Sequence, residues 1–156
     1  MKILVGVDDS SFSEEAFRAI VAQFGPQSAE IRVLHVLQPI AFSAPPQMSA
    51  KYAPELEDQG KQARALVERA AKTLRTAGFN VDTVVEKSDV RLKIIDSAAE
   101  CNADLIVIGS HGRTGVPRLL LGSVAEFVAR NALCSVEIVR GPVKSDGRFD
   151  PGKQGV

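Results

Sequence analysis

The sequence predicts a doubly wound α/β fold, a five-stranded parallel sheet with helices on both faces. Short apolar runs alternate with longer amphipathic segments, and this order repeats until a fifth apolar run closes the series. Strands that alternate with helices of this length form parallel sheets. Several runs are apolar at consecutive positions, which indicates strands buried on both faces. The 156 residues suffice for one core.

The first two strands are predicted from short apolar runs. Residues 2–7, KILVGV, form the first, and residues 30–37, EIRVLHVL, form the second. The helix between them is expected to begin with a capping box made by Ser11 and Glu14, and to end near Gly25.

A long loop and a long helix are expected next. The segment from Gln38 to Pro54 contains four prolines, which deny the backbone regular hydrogen bonding. The helix starts at Leu56, carries its apolar residues on one face, and is closed by Gly78.

The rest of the predicted domain is read from periodicity in the same way. It comprises a strand with Val81, Val84 and Val85, a helix with Val90, Ile94, Ile95, Ala98 and Ala99, a strand over ADLIVIG at 103–109, a helix across 123–132 and a strand at 136–139. Residues 1–140 are thus one predicted domain. The polar, glycine-rich residues 141–156 are expected to be a disordered tail.

Composition narrows the function classes. The chain has 19 basic and 19 acidic residues and no net charge, which argues against a protein that coats nucleic acid. No segment predicts a signal peptide or a membrane span, so we expect a cytoplasmic protein without a membrane partner. Cys101 and Cys134 lack zinc-ligand spacing, and the two histidines are too few for a metal site built on them.

The most informative motif follows the strand at 103–109. Gly109, Gly112, Gly122 and Ser123 form a Gly-x2-Gly-x9-Gly-Ser pattern. Glycines let phosphate oxygens approach the backbone, and free amides at a helix N-terminus bind anions, so the pattern favours a phosphate site. The structural alternative is a capping box of Ser123 with Glu126 after a tight turn. The motif is neither a P-loop nor the Gly-x-Gly-x-x-Gly dinucleotide fingerprint.

The predicted sheet indicates which other segments meet this motif. Ligands of doubly wound sheets bind beyond the carboxyl ends of the strands, where the strand order reverses. That rule selects Gly6–Asp8, Val36 onward and Ile108 onward. Arg113, inside the glycine loop, can pair with a phosphate oxygen, and a solvated loop arginine is the alternative.

The chain resembles the ATP-binding branch of the universal stress protein family over residues 2–140. The resemblance rests on KILVGVDDSSFSEEA, on LHV in the second strand, and on ADLIVIGSHGRTGVPRLLLGSVAEFVARNALCSVEIVR. It implies a Rossmann-like fold of the adenine nucleotide alpha hydrolase type, with ATP bound together with Mg²⁺. The implied contacts are Gly6, Val7 and Asp8 facing the nucleotide, the backbone of Val36 at the adenine, and Gly109, Gly112, Gly122, Ser123 and Val124 at the ribose and phosphates.

Several of these residues have a structural alternative. Asp8 can face the nucleotide or its magnesium ion, or it can cap the first helix. Val36 would be ordinary core without the resemblance. His35 is expected to be a hydrogen-bonded core histidine rather than a catalytic one.

The resemblance also suggests an assembly. Family members often dimerise through the last strand, and an exposed edge at 136–139 favours a homodimer here. Glu137 within that strand counts against this geometry. Two departures from the family lie away from the phosphate motif. Ser135 follows Cys134 where members commonly have Cys-Pro, and Ser88 precedes Asp89 where they have a Gly-Asp turn.

Three functions follow as hypotheses. The first is an ATP-binding regulatory protein of the stress response, in which nucleotide occupancy acts as a switch. The second is a slow ATPase or a self-phosphorylating protein that uses Asp8 and Mg²⁺. The third is an interaction module that binds another adenine compound, such as AMP or cyclic AMP, or none.

Overall fold

The structure is a computed structural model that describes residues 1–39, 49–111 and 121–141. Its strands are β1 (Lys2–Gly6), β2 (Glu30–Leu37), β3 (Asn80–Lys87), β4 (Leu105–Gly109) and β5 (Ser135–Val139). Its helices are α1 (Ser11–Gln23), α2 (Ser49–Thr76), α3 (Val90–Glu100) and α4 (Ser123–Asn131).

The strands form one five-stranded sheet in the order β3-β2-β1-β4-β5, and every neighbouring pair is parallel. The chain moves outward from β1 to β3, then crosses to β4 on the other side of β1. The strand order therefore reverses between β1 and β4, and the predicted doubly wound fold class is confirmed.

Two cores lie on opposite faces of the sheet, because successive side chains of a strand point to opposite sides. The core under α1 and α2 includes Ile3, Val5, Ile20, Val33 and Leu74. The core under α3 and α4 includes Leu4, Leu34, Ile94, Ile106 and Val128. The expectation of helices on both faces is therefore correct.

The start of α1 differs from the predicted capping box. Ser10 is the N-cap and makes no side-chain cap hydrogen bond, while Ser11 is already the first helical residue. Ser11 cannot cap a helix that begins with it, so the prediction of a box with Glu14 is wrong. The serines before and within this first turn bond instead to Asp8, as described below.

The long helix α2 begins at Ser49, seven residues before the predicted start at Leu56. Pro54 lies inside it, so the proline did not end the helix. Proline has no N–H, so one i→i−4 hydrogen bond is missing at this position of the helix. The predicted end is correct: Gly78 has a φ of 95° just after the last helical residue and donates to the Arg75 carbonyl across 2.9 Å.

Three stretches of the chain lie outside the described residues: 40–48, 112–120 and 142–156. The first contains most of the predicted proline-rich loop. The second contains Gly112 and Arg113, and the third contains nearly all of the predicted tail. The predictions made for these residues stay predictions.

Candidate functional site

The carboxyl ends of β1 and β4 meet where the strand order reverses. A Cβ built on Gly6 would lie 3.0 Å from Cγ2 of Ile108, so the two strands approach closely just before both end. The Val7 amide donates to the Leu34 carbonyl across 2.9 Å, which ties the end of β1 to β2 as well. Three strands thus bring the segments after Gly6, Leu34 and Ile108 to one edge of the sheet.

Asp8 stands in the turn between β1 and α1, and its carboxylate is held by serines. Its Oδ1 accepts from the Ser10 amide at 3.0 Å, from the Ser10 hydroxyl, and from the Ser13 hydroxyl at 2.9 Å. Its amide donates to Oγ of Ser13 across 2.8 Å. Asp8 therefore organises the turn before α1, and the residue is half-buried there.

The peptide before Asp8 is anchored from the neighbouring strand. Nδ1 of His35 lies 2.8 Å from the Val7 carbonyl oxygen. A carbonyl oxygen only accepts, so Nδ1 carries the hydrogen and donates it. The expectation that His35 is hydrogen-bonded is correct, and its partner belongs to the predicted site.

Gly122 brings the start of α4 against the end of β4. Its amide donates to the Ser110 carbonyl across 2.8 Å, and an added Cβ would lie 3.1 Å from that oxygen. Gly122 is also the N-cap of α4, without a side-chain cap bond. Ser123 is the first helical residue and is exposed, so the alternative of a capping box formed by Ser123 is wrong.

The amides of the first turn of α4 are donors without a partner in the described part of the chain. The first intrahelical bond runs from the Glu126 amide to the Gly122 carbonyl at 2.9 Å. The amides of Ser123, Val124 and Ala125 precede it, and they are the donors that helix geometry leaves open. Together with the positive end of the helix dipole, they suit an anionic group.

The other predicted residues contribute to core packing and strand pairing beside these groups. Ile108 is 4% exposed and Val36 is 9% exposed, so both side chains belong to the core and only their backbone can face a ligand. Gly109 ends β4 and pairs with Val139 of β5. Val124 is half-buried and packs against the core under α4.

In chemical terms these residues suit a ligand that carries phosphate and hydroxyl groups. The α4 amides would bind phosphate, and the Asp8 carboxylate would accept from a hydroxyl or contact a magnesium ion carried by the phosphates. Within residues 1–39, 49–111 and 121–141, no three His, Cys, Asp or Glu side chains are grouped to hold a metal ion. Magnesium would therefore need phosphate oxygens among its ligands.

A separate groove of about 700 Å³ lies between α2 and the outer strands β2 and β3. Leu37, Val67 and Val85 line its apolar part, and Glu57, Arg64 and Lys87 line its polar part. None of the residues predicted for nucleotide binding lines it. The candidate site lies instead at the carboxyl ends of β1 and β4, because Asp8 follows the first of these strands and the start of α4 is bonded to Ser110 after the second.

Sequence comparison settles the family. A family model described as the universal stress protein family matches residues 1–140. The chain belongs to this family. Universal stress protein YxiE of Bacillus subtilis is 30% identical over 145 residues, which cover 89% of this chain and 98% of that protein. Universal stress protein MJ0531 of Methanocaldococcus jannaschii is 33% identical over 145 residues, which cover 92% of this chain and 84% of that protein.

Solved structures of this universal stress protein's relatives share its fold. Universal stress protein UspA from Lactobacillus plantarum superimposes with a TM-score of 0.77 at 26% identity, covering 90% of this chain and 97% of that one. A universal stress protein in complex with cAMP gives a TM-score of 0.66 at 24% identity, over 91% of this chain and 98% of that one. One from Archaeoglobus fulgidus in complex with dAMP gives 0.62 at 23%, over 89% and 97%.

A protein from Arabidopsis thaliana with AMP bound extends the set, with a TM-score of 0.65 at 17% identity, over 96% of this chain and 97% of that one. Adenine nucleotides are thus bound by three of these structural relatives. Among the helices that the structure describes, none is long and apolar enough to cross a membrane.

The site also contains residues that sequence reasoning missed. Ser13 is 5% exposed and bonds to both the amide and the carboxylate of Asp8. Ser110 is 3% exposed and joins β4 to β5 and α4 through its backbone. A serine five residues after an aspartate at a strand end is too common a pattern to indicate such a role, so only the fold could reveal it.

Proposed function

We propose that this universal stress protein binds an adenine nucleotide, ATP with Mg²⁺, at the edge formed by β1, β4 and α4, and that nucleotide occupancy acts as a switch in the stress response. The observation that carries the proposal is that Asp8 follows β1 while the open α4 amides are tied through Gly122 to the end of β4, the two neighbouring strands at which the strand order reverses. We expect the protein to act in the cytoplasm.

The predicted residues divide this work between backbone and side chains. The amides of Ser123 and Val124 offer phosphate donors, and Gly122 lets the ligand reach them without a side chain in the way. Asp8 offers its second oxygen, because its bonds to described residues all go to Oδ1. Gly112 and Arg113 are proposed to complete the phosphate loop.

The relatives support adenine as the base but not the number of phosphates. AMP, cAMP and dAMP are the nucleotides in the related structures. We favour ATP because the resemblance of the glycine motif is to the ATP-binding branch. A triphosphate also makes use of helix amides and a carboxylate for magnesium at the same time.

The direct test is to identify small molecules released from freshly purified protein by mass spectrometry, and then to titrate ATP, AMP and cAMP with and without Mg²⁺ by calorimetry. We expect ATP with Mg²⁺ to bind most tightly. Tighter binding of AMP or cAMP would show that this nucleotide, and not ATP, is the ligand. Absence of binding by all three would overturn the proposal.

Asp8→Asn is the variant that tests the site with the least change of fold. The amide oxygen of asparagine can keep the serine hydrogen bonds, while the negative charge and the second acceptor are lost. We expect ATP affinity to fall about tenfold or more, and the loss to be larger with Mg²⁺ than without it. Glu14→Gln is the matched control, because it also removes one negative charge but at an exposed position in the first turn of α1. It should leave the affinity for ATP unchanged.

The switch itself is tested by hydrogen exchange. If occupancy changes the conformation, amides at the start of α4 and in the turn around Asp8 should exchange more slowly with ATP than with AMP. Equal protection by both nucleotides would leave a binding protein without a switch.

We also propose that the protein is a homodimer through β5. That strand is the edge of the sheet, and Val136 and Ile138 are half-buried on the α4 side. Glu137 faces the other side, where Gln23 of α1 donates to it across 2.6 Å. Its carboxylate is thus bonded within the protomer, which removes the objection that it raised to this geometry.

A further inference from the structure

We propose that Ser13 and His35 are positioning residues that set the direction of the Asp8 carboxylate in the nucleotide site. The inference rests on the proposed function. Neither residue belongs to the glycine motif, and they come from different elements: Ser13 from α1 and His35 from β2.

The peptide unit between Val7 and Asp8 is bonded on both of its polar sides. Its carbonyl accepts from Nδ1 of His35 at 2.8 Å, and its amide donates to Oγ of Ser13 at 2.8 Å. Rotation of this peptide would break one bond to β2 and one to α1. The direction in which the Asp8 side chain leaves the backbone is therefore fixed by two flanking elements.

Ser13 also fixes the side chain itself. The same hydroxyl that accepts from the Asp8 amide donates to Oδ1 of Asp8 across 2.9 Å. One hydroxyl thus links the backbone and the carboxylate of a single residue, which restricts both of its side-chain torsions. Ser13 is 5% exposed, so water does not compete for these bonds.

The consequence is a carboxylate that is oriented before any ligand arrives. Ser10 and Ser13 occupy Oδ1, and the remaining oxygen can accept one hydrogen bond from a nucleotide hydroxyl or make one contact to a magnesium ion. A group that is already ordered loses no rotamer freedom on binding, so its contact adds more to affinity. Loss of either positioning residue should weaken binding although neither touches the ligand.

His35 can position the peptide between Val7 and Asp8 only through the hydrogen bond that its Nδ1 donates. Its side chain is half-buried, and its Nδ1 hydrogen points at a carbonyl that no apolar residue can satisfy. Asparagine can place its Nδ2 donor close to the position of Nδ1, whereas leucine offers similar bulk without a donor. The pair His35→Leu and His35→Asn therefore separates the hydrogen bond from the packing.

The test is a double-mutant cycle on the affinity for ATP with Mg²⁺, measured by calorimetry. Ser13→Ala should weaken binding about tenfold in the wild-type background and have no further effect when Asp8→Ala is present. His35→Leu should weaken binding to a similar degree, and His35→Asn should restore most of it. Ser97→Ala, a buried serine on α3, is the matched control and should bind like wild type.

Each outcome decides between the two proposals. Unchanged affinity in Ser13→Ala, or an equal loss with and without Asp8, overturns the positioning role and leaves the nucleotide site standing. If Ser13→Ala does not fold, the two His35 variants decide: equal loss in both overturns the inference. Wild-type protein that binds no adenine nucleotide overturns the proposed function and this inference with it.

Discussion

The amide of Gly122 donates to the Ser110 carbonyl across 2.8 Å, and a Cβ on Gly122 would lie only 3.1 Å from the same oxygen. Ser110 in turn donates its own amide to the Val139 carbonyl across 2.7 Å. The start of α4 is therefore joined to β4 and β5 at one point. The third glycine of the motif therefore has a packing role of its own.

Gly122→Ala should lower the free energy of unfolding by about 1 kcal/mol, because the added carbon pushes against buried backbone rather than against a flexible side chain. Gly60→Ala in α2 is the control: its Cβ would meet only the end of the Arg64 side chain, at 3.6 Å. That change should raise stability by about 0.5–1 kcal/mol. Urea unfolding of both variants checks the pair, and a Gly122→Ala protein as stable as wild type would contradict the tight approach.

Gly78→Ala should destabilise the protein by about 1–2 kcal/mol, because an L side chain is strained in the left-handed conformation. Gly78 has a φ of 95°, and its Cβ would also meet Cβ of Pro26 at 3.3 Å. At Gly25 an added Cβ would meet only the Ser28 hydroxyl, at 3.8 Å, so Gly25→Ala should be close to neutral. Thermal unfolding compares the two, and equal effects would rule out the strain.

The strands were predictable because their burial leaves a direct trace in the sequence. Parallel strands covered on both faces read as uninterrupted apolar runs, as ADLIVIG does before the glycine motif. Ligands of such sheets bind beyond the carboxyl ends of the strands, and this rule, together with the glycine spacing, predicted the segments that hold Asp8 and Gly122. The candidate site was therefore accessible from element order and glycine spacing.

The helix starts were not predictable to the same degree. At α1 and α4 a serine followed three residues later by glutamate suggested capping boxes, but both helices begin at that serine. The hydrogen bonds that organise the start of α1 are instead made between Asp8, which follows β1, and the residues Ser10 and Ser13. Such bonds depend on the tertiary arrangement of β1 and α1, which local sequence patterns do not describe.

Asp89 should make stability depend on pH in the acid range. It caps α3 by accepting from the amides of Arg91 at 2.9 Å and Leu92 at 3.2 Å. The hydrogen bond from the Arg91 side chain, followed by that from the Leu92 amide, holds the pKa of this carboxyl below its ordinary value of 3.8. A lowered pKa means that the unfolded chain takes up the proton first, so the stabilisation is full above that ordinary value and is lost as the pH falls through the lowered one.

Asp89→Asn keeps an acceptor but no longer titrates, so its stability should fall less than that of wild type as the pH is lowered from about one unit above the ordinary value through the lowered one. Urea unfolding across this range measures the difference. Parallel curves for the two proteins would show that Asp89 does not contribute through its charge.

Ile138→Pro tests the proposed dimer. The Val139 carbonyl accepts from the Ser110 amide of the same chain. Because the backbone N–H and C=O groups of successive strand residues point to opposite sides, those of Ile138 face the open edge. Proline is tolerated on edge strands but cannot donate to a partner strand. We expect wild type to show a dimer mass in light scattering at micromolar concentration and the variant a monomer mass, with circular dichroism checking the fold. A monomeric wild-type protein would exclude the dimer.

Cys134 should react slowly with alkylating agents until the pH is high. Burial is the main cause that raises the pKa of its thiol above the ordinary value of 9.0, and the nearby Cys101 and Asp104 add to it. Because only the thiolate attacks, the iodoacetamide rate of a Cys101→Ser protein should still be rising above that pH, whereas the urea-unfolded chain should level off near it. The same raised pKa contributes to the free energy of unfolding. This contribution is full below the ordinary value and is lost as the pH rises through the pKa of the folded state. A folded-state rate profile whose midpoint coincides with that of the unfolded chain would show that burial does not protect this thiol.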